Sequence, residues 1–390
     1  MRVLHVIPSV SASSGGPSKA LAQMERALSG RGIEMMTVTT DDDGDGRRLD
    51  VPLQTPVPSN GASRLYFRKQ TNVYKVSLPL LAWLRRNVRQ FDVVHVHALF
   101  SFAPVAAAWV ARAAGVPYVI RPLGVLNRYG MVNRRSRMKA WSMAVLENPL
   151  LRHAAAVQFT ADLEQEEAAV LGVPMHARVI PLGIEPAEPG TDAAFHHAYP
   201  GTGAPRLLFL SRIDRKKNIE TLLGAVAQSR KSVPGLSLVI CGDGSPAYRT
   251  ELESLAIRLG VDDCVTWAGH VDGVMKASVF AAADIFVLPS FSENFGIAAV
   301  EALAAGLPCI LGEGVAVSKR ISEARAGVAV APTVAAVSAA INTMLVDTAE
   351  RVKAGARARA LAASDYSVDS MGRALALMYE AIVLPREDRR

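Results

Sequence analysis

The chain of 390 residues is long enough for two domains of ordinary size, each with its own core. Half of its residues are hydrophobic and its mean hydropathy is +0.20, which argues against disorder over most of its length. The three cysteines, Cys241, Cys264 and Cys309, lack metal-ligand spacing and indicate a reducing compartment without a disulfide framework.

Basic residues are concentrated in the first half of the chain. The formal net charge is +7, and residues 1–200 hold 22 Lys and Arg against 16 Asp and Glu, a net of +6. Residues 51–146 carry 14 basic residues and a single acid, Asp92. The 14 are Arg64, Arg68, Lys69, Lys75, Arg85, Arg86, Arg89, Arg112, Arg121, Arg128, Arg134, Arg135, Arg137 and Lys139. We expect this basic field to attract an anionic surface or polymer, and the pattern does not indicate nucleic acid.

No segment has the pattern of a secretory leader or of a membrane span. Met1 and Arg2 lead into only about five apolar residues before Pro8. The apolar stretch from Ala98 to Ile120 is interrupted by Arg112 and by Gly and Pro residues, so it predicts a helix, a turn and a strand. We therefore expect a cytoplasmic protein.

Two adjacent glycines follow the first predicted strand, Arg2–Ile7. Gly15 and Gly16 stand just before a helix predicted from Ser18 to Gly30. Glycine has no side chain, so such a pair lets the backbone approach a ligand closely, although an isolated pair is more often a simple turn.

An acidic loop follows the second predicted strand. The run Asp41–Gly46 imitates the start of a calcium-binding loop, but Pro52 stands where a bidentate Glu is needed. It also contains a D-x-D pattern that can hold a metal. We favour a solvated loop without metal, followed by an irregular segment over residues 51–70 and an amphipathic helix over Leu78–Arg89.

Two later strands end in polar residues. The strand Phe91–His97 places His95 and His97 on one face, with His97 at the carboxyl end. We interpret His95 as structural and His97 as a site candidate. The next strand, Pro117–Arg121, ends in a cation.

A helix is predicted from Val132 to Arg152 with four cations at its start, where they oppose the helix dipole. The four are Arg134, Arg135, Arg137 and Lys139. With Trp141 nearby they suggest a surface that lies against a membrane, and a solvated helix face is the alternative.

Proline and glycine residues between 186 and 205 indicate an interdomain linker, after which strands and helices alternate again. The first new crossover places Arg212 and Lys217 around a strand-to-helix turn. Two cations there can neutralise a diphosphate, although a basic loop by itself is usually only solvated. The strand Leu236–Cys241 runs into a glycine-containing loop, and the strand after it runs into His270.

The stretch Ala283–Gly314 predicts a strand, a loop, a helix and a second strand. The apolar run Ile285–Leu288 is the strand, and the helix runs from Ile297 to Ala305. Glu293 in the loop and Glu301 in the helix stand eight residues apart, and each carboxylate can accept hydrogen bonds from a polyol. An isolated pair with this spacing would be interpreted as two surface residues.

The segment from Glu293 to Glu301, with Asn294, Phe295 and Gly296 after the first Glu, resembles the E-x7-E signature of the retaining glycosyltransferases of family 4. The resemblance extends over essentially the whole chain. It implies the α/β GT-B fold, in which two Rossmann-like parallel-sheet domains face each other across a cleft and the last helix crosses back to the first domain. The acceptor-binding domain would be 1–185 with 366–390, the linker 186–205 and the nucleotide-sugar-binding domain 206–365.

The resemblance also implies roles for individual residues. Arg212 and Lys217 match the R-x4-K phosphate clamp of the family, and Asn218 follows where Gly is common. Glu293 would lie by the donor sugar and Glu301 by the ribose. The residues expected to bind the donor are Gly15, Gly16, Arg212, Lys217, Gly242, Asp243, His270, Glu293, Asn294, Phe295, Gly296, Ile297 and Glu301.

His97 and Arg121 would lie on the acceptor side. Many members of the family have a His where this chain has Arg121, and the departure resembles members that act in exopolysaccharide assembly. Whether Arg121 contacts donor phosphate or acceptor phosphate stays open at this point.

We therefore expect a retaining, metal-independent glycosyltransferase that moves a sugar from a nucleotide sugar to a glycan, lipid-linked in the preferred interpretation, in bacterial-type surface polysaccharide synthesis at an anionic membrane. Arg212, Lys217 and Glu293 are the predicted catalytic residues, and no cofactor besides the nucleotide-sugar co-substrate is expected. One alternative is another GT-B enzyme, such as a sugar-nucleotide epimerase or a sugar-phosphate synthase. The other is an inactive anion-binding membrane adaptor, which the intact charged residues argue against.

Overall fold

The computed structural model describes residues 1–11, 13, 15–44, 46–126, 142–185 and 190–387, without the side chains of 385–387. The chain forms two compact units. Unit 1 comprises Met1–Gly183 and Val368–Arg390, and unit 2 comprises Ile184–Ser367. The boundaries expected after residue 185 and before residue 366 lie two residues from these.

Unit 1 is built on one sheet with the strand order β3-β4-β2-β1-β5-β6-β7-β8. Its strands are β1 (Arg2–Val6), β2 (Glu34–Thr40), β3 (Val57–Ser59), β4 (Ala62–Phe67), β5 (Val93–His97), β6 (Tyr118–Arg121), β7 (Ala156–Phe159) and β8 (Ala177–Val179). The short edge strand β3 runs antiparallel to β4, and the other pairings are parallel. Parallel neighbours need crossover connections, which helices supply.

The described helices of this part of the chain are α1 (Gly16–Leu28), α2 (Leu78–Asn87), α3 (Phe102–Ala113), α4 (Asn148–His153) and α5 (Asp162–Ala169), and a π-helical turn, Met143–Glu147, precedes α4. Leu4, Val6, Val94 and Val96 belong to a buried apolar cluster that includes side chains of α2 and α3. Successive side chains of a strand point to opposite faces of the sheet, so His5, Thr37, His95 and His97 lie on the face opposite this cluster.

The first two residues of the acidic loop after β2 are buried, which corrects the expectation of a solvated loop at these positions. Asp41 and Asp42 are 3% and 2% exposed. Lys69 Nζ lies 2.6 Å from Asp42 Oδ1, and Lys75 binds the other oxygen of the same carboxylate. The segment 51–70, expected to be irregular, contains β3 and β4 and supplies Lys69.

Several cations of the basic field are likewise turned toward the interior of unit 1. Arg64 Nη2 donates to Glu25 Oε2 over 2.6 Å, and the Glu25 side chain is fully buried. Arg121 is 3% exposed. Acids outside residues 51–146 form ion pairs with some of these cations. The positive charge that the field exposes to solvent is therefore smaller than its count of basic residues indicates. Arg134, Arg135, Arg137, Lys139 and Trp141 lie outside the described residues.

Unit 2 contains a second sheet, parallel throughout, with the order β11-β10-β9-β12-β13-β14. Its strands are β9 (Arg206–Leu210), β10 (Ser237–Cys241), β11 (Val265–Gly269), β12 (Ile285–Leu288), β13 (Cys309–Gly312) and β14 (Gly327–Val330). All four residues of β12 are buried, as its continuous apolar run predicted.

The α-helices in the described part of unit 2 are α6 (Ala193–Ala198), α7 (Ile219–Ser229), α8 (Pro246–Leu259), α9 (Gly273–Ala282), α10 (Ile297–Ala305), α11 (Ser318–Glu323), α12 (Val334–Val346) and α13 (Thr348–Asp365). Helix α6 lies in the stretch 186–205 that was expected to be a linker. Phe195 in α6 is 1% exposed and its backbone N–H donates to Ser278 Oγ over 2.8 Å. The described part of that stretch is therefore integral to unit 2, and residues 186–189 lie outside the description.

The last helix, α14 (Val368–Glu387), packs against α1 in unit 1. Its buried residues Met371, Leu375, Met378 and Tyr379 recur on one helical face. A Cβ at Gly372 would lie 2.3 Å from the carbonyl oxygen of Ala27, so the two helices approach closely there. Among the helices of the described ranges, none is both long and apolar enough to cross a bilayer.

Candidate active site

The strand order of unit 2 reverses between β9 and β12. Crossovers leave the sheet in opposite directions at such a point, and ligands of open α/β sheets bind beyond the carboxyl ends of the strands there. The loop after β9 carries Arg212 and Lys217, and the loop after β12 carries Glu293. The fold thus brings together predicted residues that are about 80 positions apart in the sequence.

Lys217 and Glu293 form an ion pair beyond the carboxyl ends of β9 and β12. Their side chains are 7% and 17% exposed, and Ser290 Oγ lies 3.4 Å from the same carboxylate oxygen. Because both side chains are largely buried, the charge of each is neutralised mainly by the other and little by water. A ligand that replaces one partner therefore acts directly on the other.

The turn that carries Lys217 is shaped by its two polar neighbours. The Asp214 carboxylate accepts a hydrogen bond from the Lys216 N–H over 2.9 Å. Asn218 has a left-handed backbone with φ of 57°, which Asn tolerates better than most residues. Its amide donates to the carbonyl oxygens of Pro289 and Pro332 over 3.2 and 3.0 Å. Asn218 thus ties the loop after β9 to the loop after β12.

Arg212 is exposed and makes no ion pair with any residue of the described ranges. The backbone on either side of it contacts the loop after β10, and two glycines make this contact possible. A Cβ at Gly242, where φ is +137°, would lie 1.8 Å from the Ser211 carbonyl oxygen. A Cβ at Gly244 would lie 2.1 Å from that of Ile213. The close contact with the loop after β10 therefore restricts the backbone at Arg212, and the exposed Asp243 belongs to that loop.

The loop after β12 is held by backbone hydrogen bonds. The Glu293 N–H donates to Gly314 over 2.9 Å, and its carbonyl accepts from Ala316 over 3.1 Å. Gly296, with φ of +97°, precedes α10, whose first turn has no side-chain cap. The N–H groups at this helix start, including that of Ile297, are thus available to an anion.

Phe295, which was expected to bind the donor, has a buried side chain. It is 5% exposed and packs edge-on against Tyr366, with ring centroids 5.9 Å apart. Its side chain belongs to the core of unit 2, and only its backbone can contribute to the site. Asn294, directly before it, is exposed.

Glu301 lies on α10 and pairs with Lys276 of α9. Lys276 Nζ is 2.7 Å from Glu301 Oε1, and the side chains are 31% and 26% exposed. Sequence reasoning missed Lys276, because an isolated lysine on a helix carries no recognisable motif. His270, after β11, is exposed.

Gly15 and Gly16 belong to unit 1, where α1 begins at Gly16 without a side-chain cap. Gly15 has φ of +63°, and a Cβ at either position would meet nothing within 4 Å. Packing does not account for glycine at these positions, whereas the positive φ does so at Gly15. The uncapped helix start leaves N–H groups free for an anion.

The acceptor-side candidates, His97 and Arg121, are buried at 0% and 3% exposure. His97 lies opposite Arg121 in the pairing of β5 with β6, and Arg121 Nη1 contacts Met24 Sδ at 3.7 Å. Burial lowers the pKa of the Arg121 guanidinium to about 10. Neither side chain presents an open ligand-binding surface in this structure.

His97 belongs to a buried cluster with His5 and His95, a grouping that sequence reasoning missed. His5 Nδ1 and His97 Nε2 share a hydrogen bond of 2.9 Å, and His95 Nδ1 lies 2.7 Å from the Tyr379 hydroxyl on α14. No local pattern indicates it, because His5 meets His95 only through the parallel pairing of β1 with β5.

The same three histidines are the group within the described ranges that could offer enough ligand atoms to a metal ion. The rings of His95 and His97 stack at 4.3 Å, and the three are fully buried beside the Arg121 cation. The nearby Arg121 cation is unfavourable to a bound metal ion at this cluster.

Comparisons with known proteins agree with this fold. The family model described as Glycosyl transferases group 1 matches residues 197–361, and the Glycosyl transferase 4-like domain matches residues 15–183. Glycogen synthase of Mycobacterium tuberculosis is 31% identical over 295 residues, which cover 74% of this chain and 69% of the relative. A GDP-mannose-dependent alpha-(1-6)-phosphatidylinositol monomannoside mannosyltransferase of the same species is 27% identical over 308 residues, covering 73% of this chain and 78% of that protein.

Solved structures resemble the chain over almost its full length. The Anabaena protein HepE in complex with UDP matches with a TM-score of 0.77 at 18% identity and covers 98% of this chain and 100% of its own. Sucrose-phosphate synthase from Thermosynechococcus elongatus matches with a TM-score of 0.75 at 22% identity, covering 99% and 100%. The chain belongs to the group 1 glycosyltransferases: it has the GT-B fold and is a nucleotide-sugar-dependent hexosyltransferase.

Proposed function

We propose that this enzyme transfers its sugar with retention of anomeric configuration, without a divalent metal, to a glycan carried on a lipid-linked pyrophosphate. One observation carries the mechanistic part of this proposal. An exposed cation, Arg212, and a preformed Lys217–Glu293 ion pair both lie at the switch point of unit 2. We assign the donor to this edge of unit 2 and the acceptor to unit 1.

In the proposed reaction the bond between the sugar C1 and the diphosphate oxygen breaks, and its electron pair passes to the diphosphate. Arg212 and Lys217 stabilise the negative charge that develops there, helped by the N–H groups at the start of α10. Diphosphate binding draws Lys217 from Glu293, whose carboxylate then orients the sugar and supports the cationic centre. The acceptor hydroxyl attacks C1 from the face of the departing phosphate, and its proton goes to that phosphate.

The charges of the site support metal independence. Glu293 and Glu301 each pair with a lysine, so neither is arranged with a second carboxylate as a divalent ion prefers. The cations supply the charge neutralisation that a metal provides in other phosphoryl chemistry. Transfer should therefore persist in excess EDTA, and the product should keep the donor's anomeric configuration by proton NMR. Loss of activity in EDTA with recovery on adding Mn²⁺, or an inverted anomer, would overturn this mechanism.

The acceptor assignment draws on the relatives and on charge. Relatives named for action on lipids include the phosphatidylinositol monomannoside mannosyltransferase and an alpha-monoglucosyldiacylglycerol synthase of Streptococcus pneumoniae, 29% identical over 235 residues. An anionic membrane attracts each nearby Lys or Arg by about 1 kcal/mol. We propose that Arg134, Arg135, Arg137 and Lys139 hold the enzyme at the inner face of a membrane.

Liposome flotation tests this assignment. The protein should float with vesicles that contain anionic lipid at low salt, leave them as salt rises, and lose most binding when the four cations become Ser. A variant with Arg85, Arg86 and Arg89 changed to Ser is the control for general loss of charge. Binding that ignored both salt and the four substitutions would favour a soluble acceptor.

A further inference from the structure

We infer that Lys276 is a positioning residue for the donor nucleotide: it holds the Glu301 carboxylate so that this group recognises the two hydroxyls of the ribose. The inference rests on the proposed function, since it takes Glu301 as the residue that binds the ribose. It assigns a role to a lysine that lies outside the E-x7-E segment and the phosphate clamp.

The geometry of the pair is the first reason. Lys276 is the fourth residue of α9, and Glu301 is the fifth residue of α10. Nζ of Lys276 lies 2.7 Å from Oε1 of Glu301. Within the described ranges, neither side chain makes a hydrogen bond or an ion pair with any other side chain. The contact therefore joins two helices through one hydrogen bond, and Glu301 Oε2 stays open.

The chemistry of a diol is the second reason. A carboxylate has about four acceptor positions, and Lys276 occupies one of them on Oε1. Vicinal hydroxyls donate best to a carboxylate whose orientation is already set, because ordering a flexible side chain costs binding free energy. An ion pair as accessible as this one contributes little to the stability of a fold. Its expected effect is therefore on the orientation of Glu301.

The test compares nucleotides that differ only in the sugar. UDP, GDP and ADP are first screened by thermal shift against the wild-type protein, and the one that binds is then compared with its 2′,3′-dideoxy analogue by calorimetry. The wild type should prefer the ribonucleotide by about 10-fold or more. Lys276→Met should reduce that preference about 5-fold or more, mainly by weakening the ribonucleotide, and Lys276→Arg should restore part of it.

Lys231→Met is the matched control. Lys231 is an exposed lysine of unit 2 in the connection that leads to the amino end of β10, whereas the site lies at the carboxyl ends of the strands. This variant should keep the wild-type preference. Glu301→Gln should lose the preference by itself, and adding Lys276→Met to it should change nothing further, because Lys276 acts through Glu301.

The outcomes separate the two proposals. If none of the three diphosphates binds the wild type, the donor site of the proposed function fails and this inference fails with it. If a diphosphate binds but Lys276→Met keeps the wild-type preference, only the role of Lys276 is overturned. Equal weakening of the ribo and dideoxy ligands would show that Lys276 contacts the diphosphate directly, which also overturns a positioning role. If Lys276→Met does not fold, Lys276→Gln in the same comparison decides between these outcomes.

Discussion

Arg212 and Lys217 carry the same charge near the same ligand position, but their surroundings differ. Arg212 is exposed, whereas Lys217 is buried against Glu293. Removing Arg212 therefore deletes a cation and leaves nothing buried without a partner. Removing Lys217 leaves the Glu293 carboxylate with little water and without its cation. The two substitutions should have similar effects on catalysis and different effects on stability.

We predict that Arg212→Ala and Lys217→Ala each lower kcat by roughly 100-fold or more, because both cations act on charge that grows during bond cleavage. Lys217→Ala should also lower the thermal-unfolding midpoint, while Arg212→Ala should leave it near the wild-type value. Steady-state kinetics with thermal unfolding measures both. Wild-type turnover in either variant would refute the phosphate clamp.

The histidine cluster of unit 1 predicts a dependence of stability on pH. Burial lowers the pKa of His5 to about 4 and lowers those of His95 and His97 well below their ordinary value, with neighbouring histidines and Arg121 adding to the effect at His95 and His97. The unfolded chain binds these protons below a pH of about 6.5, whereas the folded chain does not. Protonation therefore favours the unfolded state as the pH falls.

We expect the free energy of unfolding to decrease between pH 6.5 and about 4, by up to about 1.4 kcal/mol per pH unit for each of the three histidines. Above about pH 6.5 the histidines should contribute no pH dependence. Urea unfolding at several pH values measures the slope, and His5→Gln should make it shallower. An unchanged slope in that variant would show that His5 does not stay neutral in the fold.

At the scale of elements, the contact between the loops after β9 and β10 depends on glycine. Gly242 combines a positive φ with a backbone oxygen where its Cβ would stand. Gly16, at the start of α1, has neither feature. The two positions therefore provide a matched pair of substitutions to alanine.

We predict that Gly242→Ala destabilises the protein by about 2 kcal/mol or more and lowers donor affinity, because the loop beneath Arg212 must move. Gly16→Ala should change stability by less than about 0.5 kcal/mol. Chemical unfolding and nucleotide titration test both variants. Equal stability of the Gly242→Ala variant and the wild type would mean that the two loops separate without cost.

At the scale of the whole molecule, the first unit is completed by the end of the chain. Helix α14 covers part of the face that carries the histidine cluster, and Tyr379 reaches His95. Unit 2, by contrast, is one continuous segment. The two units should therefore respond differently to truncation.

We predict that a chain ending at Ser367 loses the cooperative unfolding of unit 1 and binds a dye for exposed apolar surface, since Met371, Leu375 and Tyr379 no longer cover their neighbours. A fragment of residues 184–367 should still unfold cooperatively. A chain that lacks only residues 388–390 is the control. Calorimetry that showed the same transitions for the chain ending at Ser367 as for the full chain would contradict this account.

Local patterns predicted many elements closely. The limits of β12 and α10 agree with those expected from the apolar run and from the glycine that ends the helix. A parallel strand buried on both faces is apolar at every position, and a helix stop depends on a few adjacent residues, so both signals are short in sequence. Arg212, Lys217 and Glu293 lie in loops that follow strand ends, as expected, and Glu301 lies in the helix predicted for it. The resemblance to the family, and not their spacing alone, selected these four residues as site candidates.

The predictions from sequence were wrong or incomplete where the burial of a side chain depends on partners that are distant in the chain. The acidic loop at Asp42 was interpreted as solvated because its neighbours in sequence are polar. Its cations, Lys69 and Lys75, come from the segment after β4, and Lys276 likewise meets Glu301 from another helix. No local pattern specifies such a pair.

The sequence by itself determined the alternation of strands and helices, the break between two sets of them and the charged residues at the strand ends, because these depend on neighbours within about one helical turn or one strand. The tertiary structure alone decided which charges pair and which polar side chains are buried. Pairing of β1 with β5 sets His5 opposite His95, and pairing of β2 with β4 sets Thr37 opposite Arg64. Such contacts form only when the sheet does, since strand order is a property of the folded chain.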